Sequence, residues 1–486
     1  MNALRSALAV AALAAVLAIW PAAAAFAHPL GNFTVNHYAG LEAAPGELRI
    51  VYAIDIAEIP TQQLRAGQDA DGDGQVSPAE LQAWADRTGA EVAADLHVSV
   101  DGAPLALSYR CGTAGFRAGQ AGLNVTRFEG LLTSPMGERG HVEVEDSSDA
   151  DRTGWREITA AGVDGRTVSA SSVPAASVSD ELRRYPQELL TSPLKVTTAS
   201  FDVAPGSSDA APASSCGAAS VAVGARPGVE GGPFAGLVTN RGLPLVALAL
   251  VLAVAFGAWH ALLPGHGKTL MAATMVSSGA RGRQAVAVGI AVAVMHTASV
   301  LGLGLAVLAL ESAFRPETLY PWLGLTSGLV ALGLGAYLLI ARVGGWMEAR
   351  RHDEAHALER MPGHDPAHGH EHGHSHAHLA PDGAALSRRG LVALALAGGI
   401  LPAPSALIVM LGAIDAHRVV FGLTLVLAFS AGLATALIVI GLGALRAREV
   451  MAARLSSFWG RMVPVMSAAA IVAVGGFLSL RGLAQI

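Results

Sequence analysis

The sequence predicts an α-helical integral membrane protein of six transmembrane helices in a 3+3 inverted repeat, preceded by a β-rich exported domain with an EF-hand-like insertion. Only 14% of its 486 residues are charged and its mean hydropathy is +0.45, whereas a soluble protein carries about 25% charged residues. Residues 28–243 contain 27 acidic and 15 basic side chains, whereas residues 244–486 contain 11 and 16. All six long apolar segments lie in this second, basic half. These observations exclude a single soluble domain and argue against nucleic acid as a partner.

Residues 1–27 are predicted to be a signal peptide. Arg5 precedes an apolar stretch at 6–19, and Ala25-Phe26-Ala27 has the small-residue pattern of a cleavage site. The alternative is an uncleaved membrane anchor, because the apolar character continues to Ala27. Under either interpretation, residues 28–243 lie outside the inner membrane.

Cleavage there would make His28 the first residue of the mature chain. Its amine and imidazole could then bind a metal ion together with His37 and Asp55. The alternative is that these are ordinary surface side chains.

Residues 28–203 are predicted to form the exported domain, with the shape of a small β-sandwich. Seven alternating or β-branched stretches, separated by Pro, Gly and Asp, predict its strands. They lie at 33–38, 48–56, 97–100, 105–109, 123–128, 141–145 and 196–203. Residues 204–242, rich in Gly, Ala, Ser and Pro, are predicted to be a linker. The two cysteines, Cys111 and Cys216, both lie in this exported region, where a disulfide is permitted.

Residues 69–80 fit the calcium-binding loop of an EF-hand. The ligand positions are filled by Asp69, Asp71, Asp73, Gln75 (through its carbonyl), Ser77 and Glu80. Gly74 permits the sharp turn at position 6, and helical patterns near 60–67 and 78–95 flank the loop. The sequence therefore predicts bound Ca²⁺ in a structural role. The alternative is an acidic loop that holds no ion.

The six apolar segments are each long enough to cross a bilayer of about 30 Å. They lie at 243–263, 284–310, 319–341, 390–414, 417–443 and 463–482. An external N-terminus places the loops at 264–283, 342–389 and 446–461 in the cytoplasm, where they carry 13 Lys and Arg against four on the other side. The predicted organisation is three helices in 243–341, a cytoplasmic His-rich loop in 342–389, and three helices in 390–486.

Two Pro-interrupted stretches begin at matching places in the two halves of this region. They are Leu263-Pro264-Gly265-His266 and Leu401-Pro402-Ala403-Pro404, and each is followed downstream by Gly-Leu-Gly, at 302–304 and 441–443. Two three-helix units have opposite orientations, which is the inverted-repeat arrangement of many secondary transporters. We expect half-helices at both interruptions to form a mobile gate. The alternative is chance similarity among Ala-, Leu- and Gly-rich helices.

Three histidines, His260, His266 and His296, lie in or beside the first two predicted spans. Pro264-Gly265 breaks the helix between the first two, so that their imidazoles can converge. His296 lies in the middle of a span, where a titratable side chain is costly and usually faces a pathway or a partner. Imidazoles suit Ni²⁺, Co²⁺, Zn²⁺ or Cu²⁺ better than Mg²⁺ or Ca²⁺. The sequence therefore predicts a metal site in a transport path; the alternative is hydrogen bonding between packed helices.

The loop at 342–389 contains nine of the 17 histidines of the chain. A tract this dense in neutral imidazoles is typical of weak binding of transition metals. The expected ligands are His364, His368, His370, His372, His374, His376 and His378. The alternative is a solvated spacer.

Several of these stretches, in the same order, resemble the NicO-type nickel/cobalt efflux permease family. They are 260–269, His296-Thr297, the His-rich loop, 398–406 and 429–433, within a similarity that covers most of 243–482. The resemblance implies a secondary permease that moves Ni²⁺ or Co²⁺ across the bacterial inner membrane. This chain departs from the family in two respects. Ala403 stands where the family often has Cys, and the best-known members lack so large an exported domain.

The sequence predicts a transporter and not an enzyme. It contains no G-x-S-x-G elbow, and Leu262 stands where a phosphate-binding loop ending at 267–269 requires Gly. Efflux is the favoured direction, because the His-rich loop would concentrate metal at the cytoplasmic mouth. Two alternatives remain open: a nickel/cobalt importer with an exported capture domain, and a non-transporting Ca²⁺-loaded receptor or scaffold. The expected partners are the lipid bilayer and transition-metal ions.

Overall fold

The structure is a computed structural model of the chain. It describes residues 30–120, 123–190, 192–207, 243–262, 282–310, 316–359, 388–415, 418–454 and 457–484. The predicted signal peptide, His28, His266, the histidines at 364–378 and most of the predicted linker lie outside these described residues. The described part divides into two compact units, one built on strands and the other containing Ala247–Gly304, Thr318–Leu407 and Leu423–Ile486.

The first unit contains ten strands in two five-stranded sheets. The strands are β1 Val35–Ala44, β2 Glu47–Ile56, β3 Leu96–Val100, β4 Ala103–Leu105, β5 Ser108–Ala118, β6 Asn124–Pro135, β7 Gly140–Asp146, β8 Arg156–Gly162, β9 Arg166–Ser169 and β10 Thr198–Pro205. One sheet has the order β5-β6-β2-β1-β8 and the other β4-β3-β7-β10-β9. Every pairing between these strands is antiparallel except that of β1 with β8. The β-rich N-terminal domain is therefore confirmed, although β8 and β9 were not expected.

A large apolar core lies between the two sheets. Leu41, Ile50 and Phe128 contribute to it from one sheet, and Val144 and Phe201 contribute from the other. Alternation of side chains along each strand places these residues on the inner faces. Along β7, for example, buried and exposed residues alternate over most of the strand. The sheet arrangement is that of a β-sandwich, as the strand pattern predicted.

Two helices join β2 to β3, α1 at Glu58–Gln68 and α2 at Pro78–Asp95. Ser77 caps α2: its hydroxyl accepts a hydrogen bond from the Glu80 backbone N–H while the Glu80 carboxylate accepts one from the Ser77 backbone. A short 3₁₀ helix, Gln187–Leu189, lies between β9 and β10. On β5, Cys111 is disulfide-bonded; the other cysteine of the sequence, Cys216, lies outside the described residues.

The second half is helical. The helices are α3 Leu243–Leu262, α4 Gly282–Leu310, α5 Pro316–Glu359, α6 Arg388–Gly399, α7 Pro404–Asp415, α8 Val419–Arg454 and α9 Ser457–Leu483. Among the described residues, five helices are long and apolar enough to cross a membrane, and the bent pair α6–α7 makes a sixth span if it is counted as one. Five to six membrane-spanning helices are therefore present, preceded by the β-rich domain.

Two helical regions differ in detail from the predicted spans. The segment expected at 390–414 is broken between Gly399 and Pro404, and its two halves meet at 72°. The break follows from Pro402 and Pro404, which cannot donate backbone hydrogen bonds in a helix interior. The third apolar span, Thr318–Ala341, ends where it was predicted to end, and the helix α5 that contains it continues to Glu359.

Candidate functional site

Two of the three predicted membrane histidines are described, and the structure brings them together. His260 lies in the last turn of α3, and His296 lies near the middle of α4. Their ring centroids are 6.0 Å apart. His296 is 5% exposed, so the helices around it cover nearly all of its surface.

Phe429 of α8 completes a cluster of three rings. Its ring centroid lies 5.6 Å from that of His260 and 6.0 Å from that of His296. The Phe429 and His296 rings are nearly parallel, with an interplanar angle of 25°. Phe429 is itself buried. The two imidazoles are thus held against one aromatic side chain that packs on both of them.

Glycines bring the backbones of α3 and α8 close together beside this cluster. A Cβ atom added at Gly257 would collide with the Phe429 carbonyl oxygen, and one added at Gly432 would collide with the Val254 carbonyl oxygen. The two glycines therefore occupy reciprocal positions at one helix crossing, and small residues of this kind permit close packing between membrane helices. This crossing sets the position of the Phe429 ring relative to His260.

A hydroxyl pair connects α4 to α8 next to the rings. Thr297 Oγ1 donates to Ser430 Oγ at 2.5 Å, and Ser430 Oγ donates to the Val426 carbonyl at 2.8 Å. Both residues directly follow a member of the ring cluster, His296 and Phe429. The pair therefore fixes the rotation of the two helices that carry those rings.

The break between α6 and α7 exposes backbone carbonyls that hydroxyl groups from other helices satisfy. Ser327 of α5 donates to the Ala397 carbonyl at 2.6 Å, and Ser299 of α4 donates to the Gly399 carbonyl at 2.8 Å. The Tyr320 hydroxyl reaches the Pro402 carbonyl at 3.4 Å. Carbonyls at a helix end need partners of this kind, because hydrocarbon supplies none.

This broken helix lies directly against the His296 segment. A Cβ atom at Gly399 would lie 3.1 Å from the His296 backbone nitrogen, and Ser299 is three residues beyond His296 on the same helix. The imidazoles of His260 and His296 therefore lie beside the break between α6 and α7. None of the described membrane-spanning segments contains Asp or Glu, so imidazole nitrogen is the strongest transition-metal ligand among them.

The predicted calcium loop has its carboxylates close together. Asp69, Asp71 and Asp73 each offer an oxygen atom within 4.8 Å of the others. Gly72 and Gly74 adopt φ values of +74° and +83°, which favour glycine. Backbone N–H groups within the loop orient the carboxylates; those of Gly72 and Gly74, for example, both donate to Asp69 at 2.9 Å. This oxygen-rich donor set suits Ca²⁺.

Glu80, the expected bidentate ligand, is engaged elsewhere in the loop. One carboxylate oxygen accepts from the Ala70 and Asp71 N–H groups, and the other accepts from the Ser77 N–H and hydroxyl. These hydrogen bonds lower the pKa of Glu80 to about 2, and the bonds from Ser77 make the largest contribution. Glu80 is therefore ionised at neutral pH, and it must exchange these N–H partners to bind an ion through both oxygens.

The structure does not bring His37 and Asp55 together. Asp55 is the cross-strand partner of Asn36, so Asp55 and His37 point to opposite faces of the sheet. His37 is buried against Tyr52, whose hydroxyl lies 2.9 Å from its Nδ1, and Asp55 is paired with Arg117 at 2.7 Å. The positions of His37 and Asp55 therefore do not support a metal site that these two residues share with His28.

Sequence reasoning did not assign a role to Phe429 or to the hydroxyls that meet the broken helix. The hydroxyls at the broken helix belong to Ser299, Tyr320 and Ser327, and sequence reasoning likewise assigned no role to the Thr297–Ser430 pair that joins α4 to α8. Polar positions recurring within otherwise apolar spans were the available signal, since a hydroxyl in hydrocarbon needs a partner.

The C-terminal half is similar to known proteins. Residues 246–388 match the NicO family, described as high-affinity nickel-transport protein. The nickel/cobalt efflux system RcnA of Escherichia coli (strain K12) is 32% identical over 257 residues, which cover 47% of this chain and 91% of that protein. RcnA of Salmonella typhimurium (strain LT2) is 31% identical over 268 residues, again 47% of this chain and 91% of the relative. These relatives are transport proteins and not enzymes. No solved structure matches the chain.

Proposed function

This chain belongs to the NicO family of nickel-transport proteins, and on that premise we propose that it is a secondary permease that exports Ni²⁺ or Co²⁺ across the bacterial inner membrane. The observation that carries the proposal is the facing pair His260 and His296, set against a broken helix in spans without carboxylates. Neutral imidazoles bind borderline divalent metals, and interrupted helices at matching positions are typical of transporter substrate sites.

In the proposed pathway, His260, His296 and the third predicted ligand, His266, bind the ion in transit. The break between α6 and α7 is the moving part, together with a second half-helix expected after Pro264, as in a 3+3 inverted repeat. The ion is the substrate, and neither imidazole needs to form or break a covalent bond. The chain supplies a binding site for the ion. Its histidine ligands can move apart when the helices around the break change their packing, and the ion is then released.

Efflux is supported by one observation and agrees with the proposed topology. The matched relatives are named nickel/cobalt efflux systems. In the proposed topology, with residues 1–27 as signal peptide and the β-rich domain periplasmic, the His-rich loop is cytoplasmic and supplies metal to the inner mouth. The importer alternative predicts that cells without the protein contain less nickel, whereas efflux predicts that they contain more. No observation favours a non-transporting receptor or scaffold.

Reconstitution of the full chain into liposomes tests the activity. We expect Ni²⁺ and Co²⁺ to enter vesicles that contain a metal-sensitive dye, and Mg²⁺ and Ca²⁺ to be excluded. Liposomes without protein are the control. Metal content of a deletion strain, compared with its parent, tests direction: efflux predicts more nickel in the deletion strain, and less nickel would support import.

Phe429→Leu is expected to weaken transport without abolishing it. The substitution preserves apolar bulk but removes the ring that packs on both imidazoles. Aromatic pairs contribute about 0.5–1.5 kcal/mol, which corresponds to roughly a two- to tenfold loss of apparent affinity for Co²⁺. The measurement is the concentration dependence of Co²⁺ flux. Phe421→Leu, on the same helix but stacked under Arg418, is the matched control and should leave the affinity unchanged.

We also propose that residues 69–80 bind Ca²⁺ as a structural ion of the exported domain. Asp69, Asp71 and Asp73 would hold it, with the Gln75 carbonyl, Ser77 and Glu80 completing the shell. Saturating Ca²⁺ at about 100 times its dissociation constant should stabilise the domain by about 2.7 kcal/mol.

Asp71→Asn combined with Asp73→Asn should remove this stabilisation. The measurement is the calcium-dependent rise in melting temperature of the domain within the full chain. Glu188→Gln changes an exposed carboxylate of the same domain and should retain the calcium effect. A melting temperature that calcium does not change in the wild-type chain would reject the ion site.

A further inference from the structure

Glycines pack the membrane helices into two groups. A Cβ atom added at Gly328 or Gly335 of α5 would collide with backbone atoms of α9. One added at Gly475 or Gly482 of α9 would collide with backbone atoms of α5. In the same way, α8 packs closely on α3 at the crossing described above, and on α4 at Gly289. Small residues of this kind hold two helix backbones together, so α5 with α9, and α8 with α3 and α4, each form a closely packed group.

The end of α6 is hydrogen-bonded to both groups. The Ser327 hydroxyl of α5, on a residue only 1% exposed, donates to the Ala397 carbonyl at 2.6 Å. The Ser299 hydroxyl of α4 donates to the Gly399 carbonyl at 2.8 Å. Gly399 also packs tightly against α4, where an added Cβ atom would lie 2.6 Å from the Val292 carbonyl oxygen. The end of this half-helix is therefore bonded to α5 through one carbonyl and to α4 through another.

These two hydrogen bonds define one position of the broken helix relative to both groups. A carbonyl that loses its hydroxyl partner inside a membrane finds no water to replace it, so this position is favoured. The bond to α4 also reaches the predicted metal ligands, since Ser299 lies three residues beyond His296 on the same helix. A displacement of the α6 end therefore disturbs the segment that carries His296.

We propose that Ser327 is a positioning residue of the transport site, an inference that rests on the proposed permease function. Its hydroxyl holds the end of α6 against the His296 segment, in the arrangement that brings the two imidazoles together, and it releases the Ala397 carbonyl when the broken helix moves. Ser327 thus acts through the helix and not as a ligand of the ion. Its loss lowers the population of the binding arrangement, which weakens the apparent affinity for every transported ion by the same factor.

Metal flux into proteoliposomes gives the first test. Ser327→Ala is expected to raise the half-saturating concentrations of Ni²⁺ and Co²⁺ by about three- to tenfold, as loss of a hydrogen bond between membrane helices permits, and to leave their ratio unchanged. Thr326→Val is the matched control, because the Thr326 hydroxyl donates to the Trp322 carbonyl of its own helix. Ser299→Ala should act in the same direction as Ser327→Ala, whereas Ser299→Thr keeps the hydroxyl and should retain the wild-type value.

Alkylation of a cysteine placed in the break gives a second test that needs no metal. Ala403 lies between α6 and α7 and is 4% exposed, so N-ethylmaleimide should modify Ala403→Cys in the full chain only when the broken helix moves. Adding Ser327→Ala should speed this reaction about three- to tenfold, and adding Thr326→Val should not. Ala436→Cys, on α8 and 8% exposed, reports general loosening and should react equally slowly with and without Ser327→Ala. The chain with only its natural cysteines gives the background.

The outcomes distinguish this role from others. Equal alkylation of Ala403→Cys with and without Ser327→Ala overturns the inference, whatever the flux. A changed ratio of Ni²⁺ to Co²⁺ also overturns it, because Ser327 would then contact the ion. Faster alkylation at both cysteine positions shows a merely structural role and overturns it as well. Absence of flux in the wild-type chain rejects the permease function itself, whereas the alkylation rates report separately whether Ser327 holds the broken helix.

Discussion

His296→Ala is expected to reduce Ni²⁺ and Co²⁺ flux by at least about 100-fold, because it removes one of the two imidazoles that face each other in the membrane unit. Loss of a partner that merely orients a metal ligand already costs about 10–100-fold. His260→Ala should have an effect of the same size. The measurement is the initial rate of metal entry into proteoliposomes that contain equal amounts of each variant.

The control for this result must separate ligand loss from damage to the fold. His141→Ala makes the same chemical change at an exposed position of the β-rich domain and should leave the flux unchanged. Thr435→Val removes a hydroxyl that bonds only its own helix on α8, and should also be neutral. Wild-type flux in His296→Ala, with an unchanged melting temperature, would show that the ion passes elsewhere.

Gly432→Ala is expected to disrupt the crossing of α3 and α8, and with it both stability and transport. The added Cβ would collide with the Val254 carbonyl, a backbone atom that cannot rotate away. Overpacking of this kind typically costs about 1–3 kcal/mol. The reciprocal substitution, Gly257→Ala, should act in the same direction because its Cβ would meet the Phe429 carbonyl.

Gly443, on the same helix as Gly432, is the matched control, and its substitution by alanine is expected to have the opposite effect on stability. A Cβ atom at Gly443 would meet nothing within 4 Å, so Gly443→Ala should be neutral or stabilising, as alanine is favoured over glycine in helices by about 1 kcal/mol. The melting temperature of the purified chain and its nickel flux are the two measurements. Equal melting temperatures for Gly432→Ala and Gly443→Ala would mean that the two helices are not packed as described.

The sequence identified the features that depend on local pattern. Apolar length and the scarcity of charge predicted the spans, and the spacing of Asp69, Asp71 and Asp73 predicted a loop in which their carboxylates lie close together. The sequence also assigned His260 and His296 to one predicted metal site, and in the structure their ring centroids are 6.0 Å apart.

The features that escaped prediction depend on residues far apart in the chain. In the sequence, Phe429 does not differ from the other apolar residues of its span, because its contacts with the histidines depend on the packing of α8 against α3 and α4. The sequence offered His37 and Asp55 as ligands of one metal ion, yet strand register places them on opposite faces of a sheet.

The parallel pairing of β1 with β8 bears on how the domain is made. Asn36 and Trp155 are joined by a hydrogen bond although they are 119 residues apart, and β1 lies between β2 and β8 in its sheet. Because a chain is synthesised from its N-terminus, β1 is made early and β8, its second neighbour in the sheet, is made late. During that interval, one edge of β1 presents unpaired backbone groups, which are a template for wrong association. Assembly of this sheet therefore waits on a late part of the domain, and the risk of misassembly during synthesis falls on the strand that is made first.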